Sequence, residues 1–159
     1  MTKYIKTPAK LKNPGWTKRN IKISKHIEDG SKVLDLGCGA KDLTKYIKPS
    51  LYVGMDYQSS VADIMCDFNL PFSLPHHDWD YIVMSGLLEY LSDLDMFFKH
   101  IKNNGSTYII TIWDKFRTLG NPSKLGSINE YVHIIEQHFT IVERDYWKLN
   151  QIFICKDKT

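Results

Sequence analysis

Five residues, Asp35, Gly37, Cys38, Gly39 and Asp56, have types and a spacing that could hold a ligand. Residues 33–39 read Val-Leu-Asp-Leu-Gly-Cys-Gly, an apolar run that turns abruptly into glycines with an acid just before them. Glycine allows a bend that a β-carbon would obstruct, and it lets a ligand lie against bare backbone. Asp56 stands 21 residues after Asp35 and closes a second apolar run. An acid at that distance suits a ribose, because a carboxylate accepts hydrogen bonds from both hydroxyls of the diol. The pair therefore points to a nucleoside-containing ligand. The dinucleotide fingerprint asks for a third Gly or an Ala three residues after the second. Asp42 stands there, where it would crowd helix against strand and repel a pyrophosphate, so a nicotinamide enzyme is disfavoured.

These residues need strands to present them. Trp16, Asn20, Ile23 and Ile27 form one stripe of an entrance helix over residues 15–27, which Gly30 ends. Strands are expected at 33–36, 52–55, 64–66, 81–84, 107–113, 141–147 and 151–155. Helices are expected at 42–47, 87–102 and 128–138, the second stopped by Asn103-Asn104-Gly105. Strands alternating with helices imply a parallel sheet covered on both faces. The tight link Lys148-Leu149-Asn150 makes the last two strands antiparallel. The fold class is α/β: a Rossmann-like seven-stranded, mostly parallel sheet with an antiparallel last strand and helices on both faces. In such sheets ligands bind at the carboxyl ends of the strands, which here are Leu36, Met55, Cys66, Met84 and Trp113.

With these motifs in place, the sequence resembles the class I S-adenosylmethionine-dependent methyltransferases. "VLDLGCG" at 33–39 is similar to their first motif, and "YVGMDY" at 52–57 to the second, with Asp56 as the ribose-binding acid and Tyr57 beside it. "CDFNLPF" at 66–72 resembles the segment whose Asp meets the adenine amino group, here Asp67, with Phe68 beside the ring. "WDYIVMSGLLEYLSD" at 79–93 resembles the fourth-strand motif, with Ser85 and Gly86 lining the methionine side. The resemblance implies S-adenosyl-L-methionine as cofactor, S-adenosyl-L-homocysteine as product, and Asp35, Gly37, Cys38, Gly39, Asp56, Tyr57, Asp67, Phe68, Ser85 and Gly86 as cofactor-binding residues. "GWTKRN" at 15–20, Gly126, Asn129 and "NQIFI" at 150–154 add a narrower likeness to small methyltransferases of bacterial surface-polysaccharide gene clusters. Two departures stand out. Lys41 replaces the usual third glycine and places a cation near the methionine end. Only eleven residues separate Asp56 from Asp67, so a helix is almost missing there and the adenine pocket has one thin wall.

The acceptor side is expected from Trp16, Arg19, Tyr90, Trp113, Arg117 and Asn129, and Asp114, directly after the long fifth strand, is the candidate general base. Trp16 reads more often as a core aromatic than as a lid; Arg19 reads also as a face charge and Asp114 as a cap or turn residue. Glu89, inside the 87–102 helix, reads as an ion-pair partner, and His133 and His138 as structural. His76-His77-Asp78 precedes the fourth strand, away from the pocket, and no metal site is expected.

The chain has 159 residues, one domain's worth. The expected layout is an extended basic segment over 1–14 and a single methyltransferase domain over 15–159. Residues 1–27 carry eight basic side chains and no acid, while the rest is net acidic. Such an arm reads as a solvated face, a site for a small anion, or a site for nucleic acid. Three cysteines without paired spacing argue for reduced thiols and a cytoplasmic location, and no apolar run reaches the ~20 residues of a membrane span. Few insertions are visible for a large acceptor. The expected partner is a small-molecule acceptor, such as a sugar or phospho-sugar precursor, with a homodimer or partner subunit completing the pocket. Alternatives are a non-catalytic cofactor-fold subunit of a heteromer and an RNA methyltransferase.

Overall fold

The structure is a computed structural model that describes residues 14–57, 60–114 and 125–158. Its elements run α1 (Pro14–Ser24), β1 (Lys32–Leu36), β2 (Leu51–Asp56), β3 (Ile64–Met65), β4 (Trp79–Ser85), α2 (Leu94–Ile101), β5 (Gly105–Trp113), α3 (Ile128–His138), β6 (Phe139–Trp147) and β7 (Asn150–Asp157). Arg117 lies outside the described residues. No described helix is long and apolar enough to cross a membrane.

The seven strands form one sheet in the order β3-β2-β1-β4-β5-β7-β6. β1 pairs parallel with β2 and β4, and β4 parallel with β5. β7 runs antiparallel to both of its neighbours, as the tight 148–150 link requires. β1 is buried from Val33 to Leu36 because both faces are covered. On one face Ile23 and Ile27 pack on Val33, Val83, Ile109 and Ile152. On the other, Phe97 and Phe98 of α2 and Tyr131 and Ile135 of α3 close the larger core over Leu34, Ile82 and Ile110.

Three elements differ from expectation. The helix expected over 42–47 is a single 3₁₀ turn, Asp42–Lys45. The helix expected over 87–102 is split: a 3₁₀ turn spans Leu88–Tyr90, Leu91 is extended, and α2 begins only at Leu94. Asp93 forces the restart, since its carboxylate accepts the Met96 N–H at 2.9 Å and so satisfies one of the orphan donors of a helix N-terminus. Asn103 ends α2 in a left-handed conformation, φ 63°. Entrance helix α1 stops at Ser24, and only Asn20, Ile23 and Ile27 of its stripe are buried; Trp16 is 38 % exposed.

Candidate active site

The crossing point of the sheet lies between β1 and β4, where the winding reverses, and the sequence motifs gather at its carboxyl end. The bend after β1 hangs on β2: the Gly37 and Cys38 N–H groups both donate to Met55 O, at 2.8 and 3.2 Å. Gly37 and Gly39 adopt φ of 77° and 51°, conformations that side chains resist. The Gly39 N–H donates to Asp56 Oδ2 at 2.9 Å. Bend and acid, read separately from the sequence, are thus one hydrogen-bonded unit, and the carboxylate keeps the lone-pair capacity to accept further hydroxyls. Cys38 offers its backbone only. Its thiol is buried against Gly54, whose hypothetical β-carbon would lie 2.7 Å from Sγ, and that burial raises the thiol's pKa.

A charged cluster lies behind the bend. Asp35 is 3 % exposed and accepts the Tyr52 hydroxyl at 2.7 Å. Burial pushes its carboxyl up to about 6, against the opposing pull of Tyr52 and the Arg19 cation. Arg19 reaches over from α1 to Gly86 at the end of β4. A β-carbon on Gly86 would sit 2.9 Å from Arg19 Nη1, and Gly86 has φ 68°, so only glycine admits this approach. Burial lowers the Arg19 pKa while the charges of Glu89 and Asp35 raise it. Glu89 is 8 % exposed, and its Oε1 accepts the Trp113 N–H at 2.7 Å. Burial raises its carboxyl, opposed first by the Trp113 N–H. Arg19 Nε, Asp35 Oδ1 and Glu89 Oε2 are shielded from solvent and lack a hydrogen-bond partner among the described residues. Unmet buried polar atoms are costly, and three near the carboxyl ends of β1, β4 and β5, of both signs, describe a site that a ligand with both charges would satisfy.

Several expected residues fall elsewhere. Arg19 joins Asp35 and Gly86, the methionine side of the resemblance, and not an acceptor wall. Phe68, expected beside the adenine ring, is turned into the core. It is 6 % exposed and packs edge-to-face on Phe72 and Phe97 at 5.2 and 5.9 Å. With no helix after β3, the 67–74 segment seals that face of the sheet with its own aromatics. Asp67 Oδ1 accepts the Asn69 N–H at 3.0 Å, which shapes the loop. A cavity of about 260 Å³ opens between Met55, Ile64, Cys66, Asp67 and Phe72, along the thin wall. Lys41 does not point to the methionine end, because its ammonium meets Asp63 Oδ1 at 2.5 Å. Ser85 and Gly86 are tied to β5 by Thr111, whose Oγ1 accepts the Gly86 N–H at 3.0 Å and lies 3.4 Å from Ser85 Oγ. Tyr57 is 47 % exposed, beside Asp56.

On the outer rim, Tyr90 is 42 % exposed and Trp113 half-buried. Asp114 is exposed, and its N–H donates to Leu149 O at 2.7 Å, pinning the end of β5 to the β6–β7 hairpin. Asn129 is exposed in the first turn of α3. Glu89, absent from the expected site, accepts the Trp113 N–H at the end of β5, and its charge acts on Arg19. An acid flanked by Leu87, Leu88 and Leu91 was the available signal. His138 is structural: it is buried and bonded to Asp95 at 2.8 Å.

Comparison with known proteins agrees with this geometry. A family model described as "Methyltransferase domain" matches residues 11–149. Among curated proteins, none matches the chain. Among solved structures, a SAM-dependent methyltransferase from Aquifex aeolicus is similar at 19 % identity over 92 % of this chain and 99 % of that one, with a TM-score of 0.67. The N-methyltransferase NodS from Bradyrhizobium japonicum WM9, solved with S-adenosyl-L-homocysteine, is similar at 15 % identity over 92 % and 87 %, with a TM-score of 0.68. A complex between the Haloferax volcanii Trm112 methyltransferase activator and a methyltransferase is similar at 14 % identity over 92 % and 93 %, also with a TM-score of 0.68. The chain belongs to the methyltransferase-domain family and has the fold of the class I S-adenosylmethionine-dependent methyltransferases.

Proposed function

We propose that the protein transfers a methyl group from S-adenosylmethionine to a small acceptor. One observation carries the reading: buried, opposite and incompletely paired charges on Asp35 and Arg19 sit behind a bare-backbone bend bonded to Asp56. The amino-acid end of the cofactor is a zwitterion and fits the first feature; its ribose fits the second. Arg19 and Asp35 would hold carboxylate and ammonium, with Ser85 and Gly86 closing that side. Asp56 would take the ribose hydroxyls, with Gly37, Cys38 and Gly39 beneath and Tyr57 beside. Asp67 would meet the adenine amino group along the thin wall.

The bound cofactor supplies an activated methyl group for in-line displacement, so the protein's task is to align the acceptor and exclude water. Trp16, Tyr90 and Trp113, with Asn129 and Arg117, form the acceptor rim in this reading. Asp114 removes the proton if the acceptor is a hydroxyl, and Glu89 holds the β5 end on which Asp114 sits. The narrower likeness favours a sugar or phospho-sugar precursor of surface polysaccharide, handled in the cytoplasm. A partner subunit or second copy completing the rim belongs to the same reading.

Calorimetry with S-adenosylhomocysteine tests the cofactor half, with saturable binding at one site per chain expected. A metabolite screen for S-adenosylhomocysteine release, coupled to a mass gain of one methyl, tests the acceptor half. No binding of either cofactor form by folded protein would sink the proposal.

A further inference from the structure

Lys41 stands where its motif would have glycine, and it keeps glycine's backbone: φ 57°, ψ 30°. A side chain in the left-handed region is disfavoured by roughly 1 kcal/mol or more, so something must hold it there. Its ammonium contacts Asp63 Oδ1, and Asp63 in turn grips both backbone groups of Gly54 on β2. The Gly54 N–H donates to Asp63 Oδ2 at 2.8 Å, and the Asp63 N–H donates to Gly54 O at 2.9 Å. Gly54 lacks a side chain where Cys38 Sγ and Lys41 Cε pass over it, and a β-carbon would meet them at 2.7 and 3.2 Å. The Gly54 N–H, ahead of the Lys41 ammonium, holds the Asp63 carboxyl below the ordinary carboxylate range.

The bend is therefore suspended from β2 at three places: its start by Met55 O, its middle by Asp56, and its far end by Lys41 on Asp63. The middle suspension uses the carboxylate assigned to the ribose. A diol bound there shares Asp56 with the Gly39 N–H, while the far end is held separately by the ion pair. Among the described residues, the link between β2 and β3 has no helix to brace it, and Asp63 is its anchor.

We propose that Lys41 and Asp63 form a clamp that positions the Gly37–Lys41 bend for the adenosine of the cofactor, replacing both the third glycine and the missing helix. The proposal rests on the cofactor reading above. Lys41 and Asp63 are positioning residues and touch no reacting atom.

The test measures S-adenosylhomocysteine affinity calorimetrically, beside thermal stability, for the wild type and for Lys41→Met, Lys41→Gly, Lys41→Arg and Asp63→Asn. Met keeps the aliphatic stem, Gly relieves the backbone strain, and Asn keeps an acceptor for the Gly54 N–H. Loss of the pair is expected to weaken binding about fivefold in Met, Gly and Asn variants, with Arg close to wild type and the loss falling on cofactor KM, not kcat. The pair is partly exposed, with side chains 27 % and 43 % accessible, so salt should screen it. Raising salt from roughly 0.01 to roughly 1 M, where the Debye length contracts from about 30 to about 3 Å, should close the gap between wild type and Lys41→Met, the salt response of Lys41→Met serving as the baseline for the charges both proteins share; a gap that persists would overturn the clamp. This comparison needs only one folded variant. Binding by the Met, Gly and Asn variants equal to wild type, or variants that melt earlier yet bind normally, would overturn the clamp while leaving the cofactor assignment standing. A wild type that ignores S-adenosylhomocysteine would overturn both.

Discussion

Burial lifts the Asp35 carboxyl to about 6 from an ordinary 3.8, so across that window the folded protein keeps a proton that the unfolded chain has released. Stability of the cofactor-free protein is then highest below about pH 4 for this group, falls as pH rises toward 6, and stays lower above it. A rise of that size corresponds to about 3 kcal/mol. Glu89, also raised by burial, acts in the same direction, whereas Asp63 and Asp145, both lowered, act oppositely at more acid pH. The difference between wild type and Asp35→Asn isolates the Asp35 part. Denaturant melts at several pH values should show a steeper loss from pH 4 to 7 in wild type, and parallel curves would refute the linkage. Asp56→Ala removes a charge-assisted acceptor, and S-adenosylhomocysteine should bind more weakly by about 1.5–3 kcal/mol; unchanged affinity would remove the ribose role. Gly86→Ala forces a β-carbon onto the Arg19 guanidinium and should lower affinity about tenfold by the same route as Arg19→Ala, so the double variant should lose little more than either single one. Asp35, Gly37, Gly39 and Asp56 were legible because strand-end glycines and a spaced acid have few other uses. Arg19 and Glu89 were not, because their roles come from an α1 helix and a 3₁₀ turn converging in space, which no local pattern encodes. Phe68 shows the converse: its motif resembles an adenine wall, and its ring packs in the core on Phe72 and Phe97, a contact between separate segments that the local sequence does not encode.

Among the elements, the strands and α3 could be read from periodicity and β-branching, and their limits shifted by a residue or two. The 87–102 segment could not. Its apolar residues keep helical spacing across Leu91-Ser92-Asp93, and the break is held by the cap at Asp93 together with Asn69, which accepts the Ser92 N–H and donates to Tyr90 O. The break matters for function, because a continuous helix would not present Glu89 to the Trp113 backbone in the way the 3₁₀ turn does. Asp93→Ala should cost about 1 kcal/mol of stability through the lost cap, read as a lower midpoint in urea with an unchanged slope. S-adenosylhomocysteine affinity should hold if the turn at 88–90 stays anchored by Leu88 and Leu91 in the core. A variant with full stability would show that the cap does not set the break.

Across the whole molecule, the basic entrance region is partly committed inside the fold. Arg19 is drawn to the strand ends, Lys22 bonds Asp145 of β6 at 2.9 Å, and Lys18 lies 5.8 Å from the Trp147 ring. The Lys22–Asp145 pair and the buried Ile23 fix α1 across the sheet, and this placement delivers Arg19. Of the eight basic side chains before residue 28, those on α1 are thus engaged within the fold: Arg19 beside Gly86, Lys22 on Asp145 and Lys18 near Trp147. If the N-terminal arm holds an RNA substrate, residues 1–13, with Lys3, Lys6, Lys10 and Lys12, are the part of it to test. Nonspecific RNA binding at physiological salt falls at roughly 10⁻⁴–10⁻⁶ M, with a log–log salt slope set by the number of phosphates neutralised. The small-acceptor reading expects no more than that, with methyl transfer to a small acceptor unaffected by removing residues 1–13. A tight, steeply salt-dependent RNA affinity that vanishes with those residues, together with RNA methylation that vanishes with it, would move the acceptor from metabolite to nucleic acid while leaving Asp35, Arg19 and Asp56 in the same cofactor roles.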